Sequence, residues 1–172
     1  MNHFSVITIT HKSANINHIG RYIPSFSSNS QELSATLHKI KDDLGITELL
    51  YLATCNRLMF FVVQENMEMN RNYLLRFFVH LHPNIPAHCL NDMADLVHVY
   101  RGTEAINHIF EVAASLDSLV VGEREILRQL KDAYDFCSEQ KLTGDNIRLA
   151  LKTAIPLAKE IYTNTRIGEN SV

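Results

Sequence analysis

Three patterns in the chain predict its fold class. Apolar and polar residues alternate from Phe4 to Thr10, two apolar runs flank a short polar break at 53–57, and helical periodicity dominates from Thr103 onward. Together they predict an α+β protein. Residues 1–101 read as a β-α-β-β-α-β lobe, the split βαβ order of ferredoxin-like folds, and residues 103–157 as a helical extension of one N-terminal unit.

The elements follow in order. Phe4–Thr10 fits a half-buried strand, and the polar, serine-rich stretch 11–28 reads as a loop. Asn29 and Glu32 have capping-box spacing, so a helix carrying Leu33, Leu37, Ile40, Lys41 and Leu44 begins there and ends at Gly45. Leu49–Leu52 and Leu58–Val63 read as paired strands. A helix with Tyr73, Leu74, Phe77, Phe78 and Leu81 on one face is stopped by Pro83, and Leu96–Tyr100 reads as the fourth strand. Three helical segments follow, separated near 116–122 and 142–144. Pro156 lies inside the last of them, where a missing backbone donor predicts a bend.

Composition narrows the class. A chain of 172 residues with 46% hydrophobic content can bury one core. No run is long and apolar enough for a membrane span, and Met1–Phe4 lacks the start of a signal peptide. Three well-separated cysteines, Cys55, Cys89 and Cys137, argue against a disulfide framework and for a reducing, cytoplasmic setting. His80, His82, His88 and Cys89 match no standard ligand spacing, so no metal site is expected. With a net charge of −3, nucleic-acid contact needs a local basic patch. Arg148, Lys152, Lys159 and Arg166 offer one along the last helix, although a solvated face explains them equally well.

The polar break is Ala53-Thr54-Cys55-Asn56-Arg57. A guanidinium beside a thiol favours the nucleophilic thiolate, and it can also grip a carboxylate through paired hydrogen bonds. An inert cysteine beside a surface arginine is the alternative. Downstream, Ile106, Ile109, Phe110, Ala113 and Leu116 form an apolar stripe that leaves His108 on the other side, near Glu104 and Glu111. Those carboxylates favour a protonated or well-oriented ring, and an exposed histidine among helix charges is the plain alternative. On the next helix Ile126, Leu130, Ala133, Tyr134 and Cys137 make the buried stripe, opposite Arg124, Arg128 and Lys131. Ser118 and Glu123, in the corner between the two helices, suit an ammonium or hydroxyl ligand, or a helix cap.

Three blocks carry a resemblance: Ala53–Arg57, the run His108–Glu123, and Ile126–Tyr134; residues 158–168 add a fourth. In that order they closely resemble the N-terminal catalytic domain of glutamyl-tRNA reductases. Ala53 stands where the family usually has Ser. Arg124, Glu125 and Arg128 stand where it usually has Pro, Gln and Gly, while Glu123 and Gln129 are kept.

The resemblance implies NADPH-dependent reduction of glutamyl-tRNA to glutamate-1-semialdehyde, the first step toward tetrapyrroles. It makes Cys55 the nucleophile that forms a glutamyl thioester and His108 an activity-linked residue in proton transfer or orientation. It places Thr54, Asn56, Arg57, Ser118, Glu123, Arg124, Glu125 and Gln129 in the substrate pocket, with Arg57 on a glutamate carboxylate. Residues 158–172 would then start the helix into an NADPH domain. The six glycines, none closer together than Gly102 and Gly122, form no dinucleotide fingerprint. The expectation is a shortened chain or a natural first domain with no cofactor site of its own. It would be monomeric without the family's C-terminal dimerisation domain, and the semialdehyde aminotransferase that takes the product is a candidate partner. Two rivals remain: a non-catalytic module that binds tRNA or another partner, and a cysteine acyltransferase or thioesterase.

Overall fold

The computed structural model describes residues 3–26, 28–65, 68–165 and 167, without the side chains of 16–18. Its sheet has four strands: β1 (Phe4–Thr10), β2 (Glu48–Thr54), β3 (Arg57–Val63) and β4 (His98–Arg101). Their order is β2-β3-β1-β4, and every pairing is antiparallel. This is the strand order that a split βαβ lobe produces. Around the sheet lie α1 (Ile16–Tyr22), α2 (Ser30–Leu44), α3 (Arg71–Leu81), α4 (Ala87–Leu96), α5 (Thr103–Ala113), α6 (Glu125–Glu139) and α7 (Asp145–Asn164).

Helices cover both faces of the sheet. Ile7, Ile9, Leu49, Tyr51, Phe60 and Val62 pack with residues of α1 to α4, while Val6, Leu50, Leu52, Met59 and Phe61 pack with α5 to α7. Strand β1 is therefore buried along its whole length rather than on one face, and Thr8 meets its burial by donating to the Leu58 carbonyl at 3.0 Å. Within the first core Phe60 meets Phe77 edge-on at 4.7 Å, a pairing worth about 1 kcal/mol beyond area burial.

Local signals behave as physics expects where they are strong. Asn29 caps α2 by accepting from the Glu32 amide, and Gly45 ends it in the left-handed region at φ 68°. The stretch 11–28 departs from expectation, because it contains α1, whose Ile19 and Tyr22 are buried at helical spacing. Helix α4 occupies the segment after Pro83, and β4 starts at His98, two residues later than the apolar run suggests.

Strand β2 also starts α7. The Glu48 carboxylate, 5% exposed, accepts from the amides of Gly144 (2.9 Å), Asn146 (3.0 Å) and Ile147 (2.8 Å), and from Asn146 Nδ2 (2.7 Å). A charge from another element thus replaces the cap that Gly144, without a side chain, does not provide. Glu48→Ala should cost about 2–3 kcal/mol in urea unfolding, since it leaves first-turn donors buried and unpaired. Gly144→Ala should also destabilise, because its Cβ would lie 2.8 Å from Glu48 Cδ. A loss below about 0.5 kcal/mol for Glu48→Ala would remove the capping role.

Candidate active site

The β2–β3 turn reverses the chain in two residues, Cys55 and Asn56, between Thr54 and Arg57, which face each other in the ladder. The Asn56 amide donates to Thr54 Oγ1 at 3.3 Å, and the Asn56 carbonyl accepts from the His11 amide at 3.2 Å. These bonds fix a tight turn that leaves Cys55 exposed, whereas Cys137 is sealed in the core with its thiol pushed up to about 11 by burial.

Beside Cys55 opens a cleft of about 80 Å³, lined by residues from three distant segments. The turn gives Thr54, Cys55, Asn56 and Arg57; the corner before α6 gives Ser118, Leu119 and Glu123; α6 gives Glu125, Ile126 and Gln129; the end of β1 adds His11. Seven of the eight pocket residues expected from sequence meet here. Arg124 is the exception. It precedes α6, with its guanidinium 5.7 Å from the centre of the Tyr162 ring, outside the cleft lining.

Under the turn lies a buried polar cluster. Arg57, 2% exposed, donates from Nη2 to the backbone carbonyl of Asp117 and to Asp117 Oδ2 at 2.9 Å, and its Nη1 lies 3.4 Å from His108 Nε2. Lys12 pairs with the other Asp117 oxygen. Burial alone would raise the Asp117 carboxyl, but the Lys12 hydrogen bond and the Arg57 charge together hold it below its ordinary value. Arg57 is thus bound from beneath by an anion while still forming part of the cleft wall.

His108 corrects the sequence expectation. It lies in the buried stripe of α5, 2% exposed, with its ring stacked on Tyr100 at 4.2 Å. Burial pushes its pKa down to about 4; Asp117 opposes this, and Arg57 and Lys12 reinforce it. The ring is neutral at pH 7, and the nearby Glu111 does not protonate it. It contacts Arg57 and does not line the cleft.

The corner itself is held by Ser115, whose left-handed φ of 59° lets its Oγ donate to the Val120 carbonyl (3.2 Å) and accept from the Gly122 amide (3.2 Å). This bracket carries Asp117 under Arg57 and sets Ser118 on the cleft wall.

The model of the glutamyl-tRNAGlu reductase N-terminal domain matches residues 7–165. The chain belongs to that family. It is 34% identical over 168 residues to a glutamyl-tRNA reductase of Trichlorobacter lovleyi, covering 97% of this chain and 37% of that one. A Campylobacter hominis relative of the same name is 36% identical over 172 residues, covering 100% and 38%. The solved glutamyl-tRNA reductase from Methanopyrus kandleri superposes with a TM-score of 0.73 at 26% identity, over 96% of this chain and 36% of that one. The chain thus spans somewhat over a third of the length of the relatives it matches.

Within the glutamyl-tRNA reductase family, the departures on α6 compensate one another. Arg128 donates from Nε to Glu125 Oε2 at 3.0 Å and from Nη1 to Asp132 at 2.6 Å, and the Arg128 bond holds the Glu125 carboxyl below its ordinary value. Gln129 Nε2 also reaches Glu125, at 3.3 Å. Glu125 and Arg128 are thereby paired beside the cleft.

A Rossmann-type dinucleotide site is not formed by the described residues. Such sites lie at the carboxyl ends of parallel strands beside clustered glycines, and this sheet is antiparallel throughout. Among the described residues no cluster of His, Cys, Asp and Glu suits a metal, and no helix is long and apolar enough to cross a membrane. Along α7, Arg148 pairs with Asp145 while Lys152 and Lys159 are exposed; Arg166 lies outside the described residues.

Proposed function

We propose that this chain captures glutamate in a glutamyl-tRNA reductase, at the step that leads into tetrapyrrole synthesis. The observation that carries the reading is the exposed Cys55 on a cleft whose other walls are the polar residues of two remote segments. The Cys55 sulfur attacks the ester carbonyl of glutamyl-tRNA; a C–S bond forms, the C–O bond to the terminal ribose breaks, and the departing ribose oxygen takes the proton that the thiol gives up. The resulting thioester is more electrophilic toward hydride than the ester it replaces.

Charge supports the assignment of glutamate. Arg57 is the cationic side chain of the cleft lining, and with Lys12 beside it two cations share the one buried anion Asp117, which leaves Arg57 charge to draw a side-chain carboxylate. Glu123 on the rim suits the α-ammonium group, and Thr54, Asn56, Ser118 and Gln129 provide neutral donors and acceptors between them. His108 acts as a positioning residue that holds Arg57 through its ring nitrogen. The exposed Lys152 and Lys159 give tRNA phosphates a place to settle.

Incubation with glutamyl-tRNA followed by peptide mass spectrometry should find a glutamyl group on Cys55 alone. Iodoacetamide at neutral pH should label Cys55 ahead of Cys89 and far ahead of Cys137. An unmodified Cys55 peptide, with labelling no faster than at Cys89, would end the proposal.

A further inference from the structure

The thioester step needs a proton moved from sulfur to a departing alkoxide, and the residue expected to help, His108, lies behind Arg57 rather than on the cleft. Another histidine does face the cleft. His11 follows β1 and lines the same cleft as Cys55. Its amide is bonded to the Asn56 carbonyl at 3.2 Å, so the backbone fixes it beside the residue next to the nucleophile. A tight turn holds it there: the Thr10 carbonyl accepts from Ser13 (3.0 Å) and Ala14 (2.9 Å), and Thr10 Oγ1 accepts from the Lys12 amide at 3.2 Å.

The ring of His11 has a second peculiarity. Its Nδ1 is buried yet has no hydrogen-bond partner in the protein, a state shared among the described residues only with His108 Nδ1. Buried polar atoms without partners are uncommon and often belong to groups that exchange a proton or hold a ligand. The other ionisable groups on the cleft are poorly suited. Arg57 stays protonated, Glu125 is held by Arg128, and Glu123 sits on the rim, where it suits an ammonium.

We propose that His11 carries the proton of the capture step, taking it from the Cys55 thiol and giving it to the ribose oxygen as tRNA leaves. The inference rests on the Cys55 thioester reading. The S–H and C–O bonds break and the C–S and O–H bonds form; no oxidation state changes and no further reactant is required. The charged groups facing the ring are Asp117, Arg57 and Lys12. Burial lowers its pKa, Asp117 opposes that, and Arg57 and Lys12 add to it, so the resting ring is neutral and ready to accept.

Two acyl donors separate this role from a structural one. His11→Asn should slow Cys55 acylation by glutamyl-tRNA about 100-fold or more, and imidazole added to His11→Ala should restore part of the rate. Glutamyl p-nitrophenyl ester, whose leaving group needs no proton, should acylate His11→Asn within about threefold of wild type near pH 9.5, where an ordinary thiol ionises without a base. That result also proves the variant folded. Wild-type rates with glutamyl-tRNA, or equal deficits with both donors at high pH, overturn the proposal while leaving Cys55 as nucleophile. Absence of any Cys55 adduct in the wild type overturns both.

Discussion

Cys55→Ser should leave the chain unable to take up glutamate from glutamyl-tRNA, a loss of at least about a thousandfold. A thiol is a far stronger nucleophile than an alcohol, and a serine hydroxyl is almost wholly protonated at neutral pH and depends on finely aligned base assistance that a site built around sulfur does not need. The substitution changes one exposed atom in a two-residue turn, so stability should stay within about 0.5 kcal/mol of wild type. Intact-protein mass after incubation reads the first quantity and thermal melting the second. A full adduct on Cys55→Ser would place the nucleophile elsewhere. Cys137→Ser then serves as the opposite control, because that sulfur accepts from the Tyr51 amide at 3.4 Å within the core and is never presented to substrate.

Much of this site was legible because its chemistry is local. Thr54 to Arg57 are consecutive, and a polar break between apolar strands announces a turn, so Cys55 could be placed at its tip from sequence. Ser118 and Glu123 stand out in the corner between two helices, Glu125 and Gln129 only through the family resemblance, and the cleft gathers all four. What stayed hidden depends on long-range packing. Periodicity runs the apolar stripe of the α5 segment through Ile106 and on to Leu116, yet Leu116 lies beyond α5 and is 47% exposed, and the buried face runs through Ala105, His108 and Val112. A polar residue on a buried face is invisible to hydrophobic periodicity, which assumes that histidine points outward.

Asp117 and His11 were missed for related reasons. A guanidinium between two apolar strands must find an anion if it is buried, so Arg57 implied a partner, but nothing in the sequence said which of 19 acidic residues it was. His11 lies in a polar, serine-rich segment whose composition carries no sign of a site. The pairing of β1 with β3 puts Thr10 opposite Arg57, so the next residue falls beside Asn56. Strand pairing, not composition, brings His11 to the cleft that Cys55 lines.

Asp117→Asn should cost about 3–5 kcal/mol at neutral pH, a large part of the stability of a domain this size, because it leaves the Arg57 charge buried without its anion. The pH dependence identifies the cause. The Asp117 carboxyl titrates lower in the folded chain than in the unfolded one, so its contribution is complete above the unfolded value near 3.8 and is lost as pH falls through the folded value. Wild type and Asp117→Asn should therefore differ by a constant amount from neutrality down to about pH 4, and the gap should begin to narrow below it. His108 adds a separate slope. Its folded pKa, about 4, is below the unfolded 6.5, so the unfolded chain binds the extra proton between those values and acidification across that window removes roughly 3 kcal/mol. His108→Gln should flatten that slope while sparing the narrowing below pH 4. Urea unfolding at intervals from pH 7 to about pH 3 measures both. A gap under about 1 kcal/mol, or one that persists undiminished in acid, would mean that Arg57 does not depend on Asp117 for its charge balance.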